Sequence, residues 1–135
     1  MANAETDISN AGRPLSPHLS VYRPMLTMMM SIAHRITGAG LYVGMVLLAL
    51  LLLGAAFGGG FYSAVSWLGS GIIGGPLVFL VTWAIMHHLL GGVRHALWDR
   101  GLYMDPRGRE FLALGTLIGG VGLTLLVWAL RAILG

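Results

Sequence analysis

The stretch PLVFLVTWAIMHHLLGGVRHALWD, residues 76–99, decides how this chain folds. Its first two thirds carry no charge, and its length matches the roughly 20 residues a helix needs to cross the hydrocarbon of a bilayer. Two adjacent histidines, His87 and His88, then interrupt the apolar run, and Arg94, His95 and Asp99 follow before it ends. At about 100° per residue, His88, Gly92, His95 and Asp99 fall close to one helix face. Ionisable groups at membrane depth are expensive, so each needs a partner or a task. Neutral imidazole is a natural iron ligand, and a glycine one turn away leaves room for a flat cofactor. The segment reads as one half of a haem site. A histidine that is merely hydrogen-bonded within a helix bundle is the competing reading.

The rest of the composition agrees with a chain that lives in lipid. Of 135 residues, 56% are hydrophobic and only 10% charged, against about 25% charged in an ordinary soluble domain. Two further apolar spans, 38–57 (entered through 25–37) and 111–134, flank the first. The expected architecture is therefore an all-α integral membrane protein: a cytoplasmic N-terminal arm over 1–24 and a three-helix anchor domain over 25–135, with spans of about 30–57, 76–98 and 111–134. Pro76 is expected in the first turn of its helix, where its missing N–H is harmless. Pro106 and Gly108 are expected in the turn before the third span. The link from 54 to 75 is glycine-rich and uncharged.

All eight basic residues are arginine, and there is no cysteine. The lack of cysteine excludes disulfides, thiolate-bound iron–sulfur clusters and covalently attached haem, so any haem here is b-type. The arginines flank apolar spans instead of forming a basic face, which argues against nucleic acid as a partner. Seven of the eight (Arg13, Arg23, Arg35, Arg94, Arg100, Arg107 and Arg109) belong to one side, leaving Arg131 near the other. The positive-inside rule then places the N-terminus and the link 99–110 in the cytoplasm. The opening residues lack the basic start and apolar core of a signal peptide, and lack the arginine-rich, acid-poor character of a transit peptide. A bacterial inner membrane is the expected location.

A second cluster, Ser31, His34 and Arg35, lies at the start of the first span, on the same side as Arg94, His95 and Asp99. Ser31 and Arg35 are one turn apart on a helix, with His34 beside them. A hydroxyl, a guanidinium and an imidazole at an apolar boundary suit a quinone head group or haem propionates. Bland readings compete: Arg35 snorkelling to lipid phosphates, Ser31 bonding back to its own helix, His95 and Asp99 paired with each other, Arg94 and Arg100 as topology signals. His87 points about 100° away from His88 and is assigned no ligand role. Gly40-xxx-Gly44 and Gly115-xxx-Gly119 offer small faces for helix packing, inside the bundle or against a partner.

Two compound patterns sharpen this. RPLSPHLSVYR (13–23) followed by SIAHRITG (31–38), and H-x-x-x-G-V-R-H-x-x-W-D (88–99), together closely resemble the cytochrome b subunit of succinate dehydrogenase, one of two membrane anchors of respiratory complex II. The resemblance runs from residue 13 to at least 101. Ala96 departs from it, since a larger apolar residue is usual there. The resemblance implies that His88 is one axial ligand of haem b, the other coming from the second anchor subunit. It also implies that Ser31 and Arg35 lie at a ubiquinone site beside the iron–sulfur subunit, with His34 and Arg35 on the haem-propionate side. Electrons would arrive from succinate through a flavoprotein and an iron–sulfur partner, linking the tricarboxylic acid cycle to the respiratory chain. The chain has no nucleotide fingerprint and is not expected to oxidise succinate alone. A haem-free structural anchor and the anchor of a quinol:fumarate reductase are the other readings.

Overall fold

A computed structural model describes residues 23–58, 60–68 and 71–134. Most of the arm at 1–24 therefore lies outside the described residues. Among the described residues four helices follow one another: α1 (Leu26–Phe57), α2 (Gly60–Leu68), α3 (Gly71–Asp99) and α4 (Pro106–Leu134). Three of them contain stretches long and apolar enough to cross a membrane: Leu26–Phe57, Ile72–Asp99 and Pro106–Leu134. Gly38 meets His88 while Gly91 meets His34, and Gly120 meets His87 while Trp128 meets Thr82, so α3 runs antiparallel to both α1 and α4. Arg23, Arg35, Arg94, Arg100, Arg107 and Arg109 consequently gather at one end of the bundle and Arg131 at the other.

Burial is inverted relative to a soluble protein. Among the described residues the buried hydrophobic side chains are only Met30 and Ala113, while dozens of leucines, isoleucines and valines face outward. The interior holds Thr37, Thr116 and Thr124 together with Gly108, Gly120, His87 and Arg94. Lipid tails give apolar side chains no reason to turn inward, so small residues that let backbones approach take the helix contacts instead. A Cβ placed on Gly120 would lie 3.3 Å from the His87 Cα, and one on Gly119 would lie 2.8 Å from Leu90 Cδ1. Gly40, Gly44 and Gly115 meet nothing within 4 Å. Of the two expected glycine faces, the close contact within this chain thus falls on Gly119 and Gly120.

The helix ends differ from the sequence expectation. α3 begins at Gly71, so Pro76 sits at its sixth position and not in the first turn. The pyrrolidine removes the bond to the Ile72 carbonyl there, a loss that membrane helices accommodate better than soluble ones. The glycine-rich link contains a helix, α2, because the apolar run GFYSAVSWL overrides its glycine flanks. Pro106 opens α4 instead of preceding it, and the Asp105 carboxylate Oδ2 accepts the Gly108 N–H at 3.0 Å, an N-cap. At the other end of this turn, Gly101 N–H donates to Trp98 O at 2.8 Å and Leu102 N–H to Leu97 O at 3.0 Å. That pair of bonds is a Schellman ending, and Gly101 takes the required left-handed conformation at φ 71°. The tight turn holds α3 against α4.

Candidate functional site

The site is built where α1 and α3 cross near the arginine-bearing end. His34 comes from the third turn of α1, and His88 from a point in α3 where the helix still has three turns to run. Their rings stack with centroids 4.0 Å apart and planes within 2°. His95, two turns beyond His88, approaches the His34 ring at 5.2 Å. The two sequence clusters, 54 positions apart, therefore do converge.

Glycine creates the space. A Cβ on Gly38 would fall 2.8 Å from His88 Cε1, and one on Gly91 would overlap the His34 ring. Each imidazole occupies volume that any other residue on the opposite helix would fill. Gly92, singled out from the sequence, has open space at its Cβ position and is exposed, so the glycine that receives the His34 ring is its neighbour Gly91.

The His88 ring is oriented by the main chain of α1. His88 Nδ1 lies 3.1 Å from the His34 carbonyl oxygen. A carbonyl only accepts, so Nδ1 carries the hydrogen and Nε2 keeps the lone pair. The same carbonyl accepts the Thr37 hydroxyl at 3.0 Å, and that hydroxyl also lies 2.8 Å from Ala33 O. Thr37 is buried and locks this patch of α1. A ring nitrogen donating to a backbone carbonyl is the usual setting of a metal-ligating histidine, because it fixes the tautomer and aims the other nitrogen. His34 Nδ1 is buried without a partner. Among the described residues no group of three or more His, Cys, Asp or Glu gathers as a metal site. An iron held by His88 would therefore need its remaining ligands from a porphyrin and from another chain, and these residues fit a haem.

Ser31 is half-buried and Arg35 exposed, one turn apart at the same end of α1. Among the described residues Ser31 Oγ makes no hydrogen bond, whereas Thr37, Ser66, Thr82, Thr116 and Thr124 all bond back to their own helices. The back-bonded alternative for Ser31 is thus not adopted. Likewise no hydrogen bond or ion pair joins the exposed His95 and Asp99 among the described residues, and the His95 ring instead meets Trp98 edge-on at 5.4 Å.

Sequence reasoning ranked His88 as the one deep histidine and passed over its neighbour. In the structure His87 is fully buried, facing α4 with its ring stacked 5.2 Å from Trp83, and both its ring nitrogens lack partners. Arg94, two turns on, is buried on that face too, at 2% exposure, over the Trp98 ring. The signal was available: residues 87, 94 and 98 share a helix face by the 3.6-residue period.

Three helices long and apolar enough to cross a membrane, an imidazole pair near one end and a free hydroxyl with an arginine beside it describe a multi-pass membrane protein with a candidate site between its helices. Residues 9–129 match the family described as the succinate dehydrogenase/fumarate reductase transmembrane subunit, and the chain belongs to that family. It is 35% identical over 126 residues to the succinate dehydrogenase cytochrome b556 subunit of Paracoccus denitrificans, covering 90% of this chain and 96% of that one. It is 30% identical over 128 residues to the protein of the same name from Rickettsia bellii, covering 95% and 99%. The mitochondrial succinate dehydrogenase cytochrome b560 subunit of Mus musculus is 37% identical over 97 residues, covering 69% of this chain and 56% of the mouse protein.

Proposed function

We propose that this chain is the cytochrome b membrane anchor of a succinate:ubiquinone oxidoreductase. In this reading it holds haem b jointly with a second anchor subunit and forms part of the site where ubiquinone is reduced. The observation that carries the haem assignment is the contact of His88 Nδ1 with the His34 carbonyl, which leaves Nε2 as an aimed lone pair. The names of the relatives favour succinate oxidation over fumarate reduction as the physiological direction. When bound, haem supplies a one-electron redox centre close to the quinone.

This chain's own residues would then divide the work. His88 would hold the haem iron through Nε2, together with a histidine of the second anchor. Thr37 and the His34 carbonyl keep the His88 ring in one tautomer and orientation. His34 and Arg35 lie on the side of the propionates, where a buried Nδ1 and an exposed guanidinium are available as donors. Ser31 Oγ, uncommitted to its own helix, donates to a quinone carbonyl oxygen, and Arg35 stabilises negative charge that develops there as electrons arrive. Exposure of Arg35 at the end of α1 leaves protons available from water. The arginine bias supports a cytoplasmic position for this end, in a bacterial inner membrane, and it is there that the flavoprotein and iron–sulfur subunits would dock.

Two experiments test the two halves. His88→Ala removes or alters the haem b spectrum of the purified complex, while His87→Ala leaves it in place; an unchanged low-spin spectrum in the first variant would eliminate His88 as ligand. Ser31→Ala lowers succinate:quinone activity several-fold and Arg35→Gln about tenfold or more, in line with losing a neutral and a charge-assisted hydrogen bond. Dye reduction by the soluble subunits survives in both. Parallel loss of both activities would point to failed assembly instead of a damaged quinone site.

A further inference from the structure

The cleft between α3 and α4 holds a cavity of about 120 Å³ beside Arg94. Its remaining walls are apolar or small, with Leu90, Leu97 and Phe111 at the sides, Gly115 at the mouth and Thr116 at the back. Arg94 is 2% exposed, its Nε and Nη1 are buried without partners, and the Trp98 Nε1 one turn along is buried without a partner as well. Guanidinium and indole nitrogens only donate, so the missing partner is an acceptor. Arginine stays charged, and burying a charge without a counter-charge is strongly unfavourable, so the acceptor is an anion. Thr116 gives its hydroxyl hydrogen to Leu112 O at 2.8 Å, and its oxygen, though able to accept, receives no bond from Arg94 Nε or Nη1. Among the described residues no carboxylate forms an ion pair with Arg94. The described residues do not supply that anion.

We propose that this cleft binds an anionic phospholipid, with the phosphate against Arg94 between Leu97 and Phe111 and an acyl chain running inward past Val93 and Leu90. Depth favours a lipid: Arg94 precedes the α3 end at Asp99 by five residues, or about 7.5 Å along the axis, near the headgroup boundary. Phe111 and Gly115 are exposed, so the cleft opens sideways to the bilayer. Arg100, Arg107 and Arg109 at the same end attract anionic lipids to it. The site is distinct from the imidazole pair, because Arg94 points about 120° away from His88 around the helix.

The test uses the whole complex, purified in mild detergent and examined by native mass spectrometry. The wild type retains one anionic phospholipid for each copy of this chain, and Arg94→Gln binds it about tenfold more weakly, as expected for losing a charged hydrogen bond. Gly115→Leu covers the case in which Arg94→Gln fails to fold. Gly115 lines the cavity and a Cβ there meets nothing within 4 Å, so the backbone admits a side chain, and leucine at this position is expected to take up the cleft and expel the lipid. After delipidation, phosphatidylglycerol raises the thermal midpoint of the wild type but not of Gly115→Leu. Phosphatidylcholine and inorganic phosphate raise neither. The proposal is overturned if Gly115→Leu keeps the wild-type lipid complement, which would indicate a partner-chain carboxylate on Arg94. It is equally overturned if inorganic phosphate alone reproduces the shift.

Discussion

On the side of α3 that faces α1, the His88 ring lies in a hollow left by Gly38 and gives its hydrogen to a carbonyl across the gap. On the side that faces α4, His87 and Arg94 are shut in by glycine and threonine, and their nitrogens find no acceptor. Both sides use small residues, but to different ends. Gly119 and Gly120 bring α4 against α3 and so hold the bundle together. Gly38 and Gly91 admit imidazole rings between α1 and α3, and so make a site. One contact spends its glycines on close helix packing and the other on room for two imidazoles.

If that division holds, damage to the two sides separates. Gly120→Val is the larger disturbance. Its Cβ would lie 3.3 Å from His87 Cα and 3.5 Å from His87 N, both main-chain atoms that cannot rotate aside. Overpacking of this kind costs about 1–3 kcal/mol. The expected outcome is a lower unfolding midpoint for the complex in detergent, with an unaltered haem spectrum in the molecules that survive. A shifted spectrum at unchanged stability would show that the sides are not separable.

Gly38→Ala makes the reverse prediction. Its Cβ would press on His88 Cε1 at 2.8 Å, a ring atom held in place by the bond to His34 O. The ring has to tilt or slide by several tenths of an ångström. The haem spectrum and reduction potential shift and haem content falls, while stability changes by about 1 kcal/mol or less, because a side chain and not backbone gives way. Gly40→Ala, whose Cβ meets nothing within 4 Å, is the control and leaves both readouts unchanged.

The three spans and the sidedness of the arginines were legible because they are extremes of composition, and the approach of His34 to His88, Gly91 and His95 followed from topology. What could not be read was which neighbour each face of α3 meets. Where leucine and valine cover every side of a helix, hydrophobic periodicity no longer marks the buried face, so His87 and His88 looked alike except in assigned depth. The seam through His87, Arg94 and Trp98 needed the position of α4, and the receiving glycine shifted from Gly92 to Gly91 for the same reason. Glycine and proline are ambiguous signals for a helix end in a membrane chain. At 71–76 the helix runs through both, since a membrane-spanning segment has little alternative to internal backbone bonding.

The turn at 100–105 offers the finest probe of the division, since it joins α3 to α4 and has no part in the α1 contact. The first turn of α4 carries Arg107 and Arg109 and no acid, so its charges oppose the helix dipole. The Asp105 carboxylate offsets them from the N-cap and also satisfies the Gly108 N–H at 3.0 Å. Gly108 cannot be replaced to test this, because a Cβ there would fall 2.9 Å from Tyr103 Cα. Asp105→Ala is the cleaner change and is expected to cost about 1 kcal/mol. Asp105→Asn keeps an acceptor oxygen while dropping the charge, and should cost less than half as much. Both effects appear in the unfolding midpoint, and neither moves the haem spectrum or the response to quinone. A spectral change in Asp105→Ala would mean that the position of α4 sets the His88 ring through α3, and the two sides would then have to be treated as one.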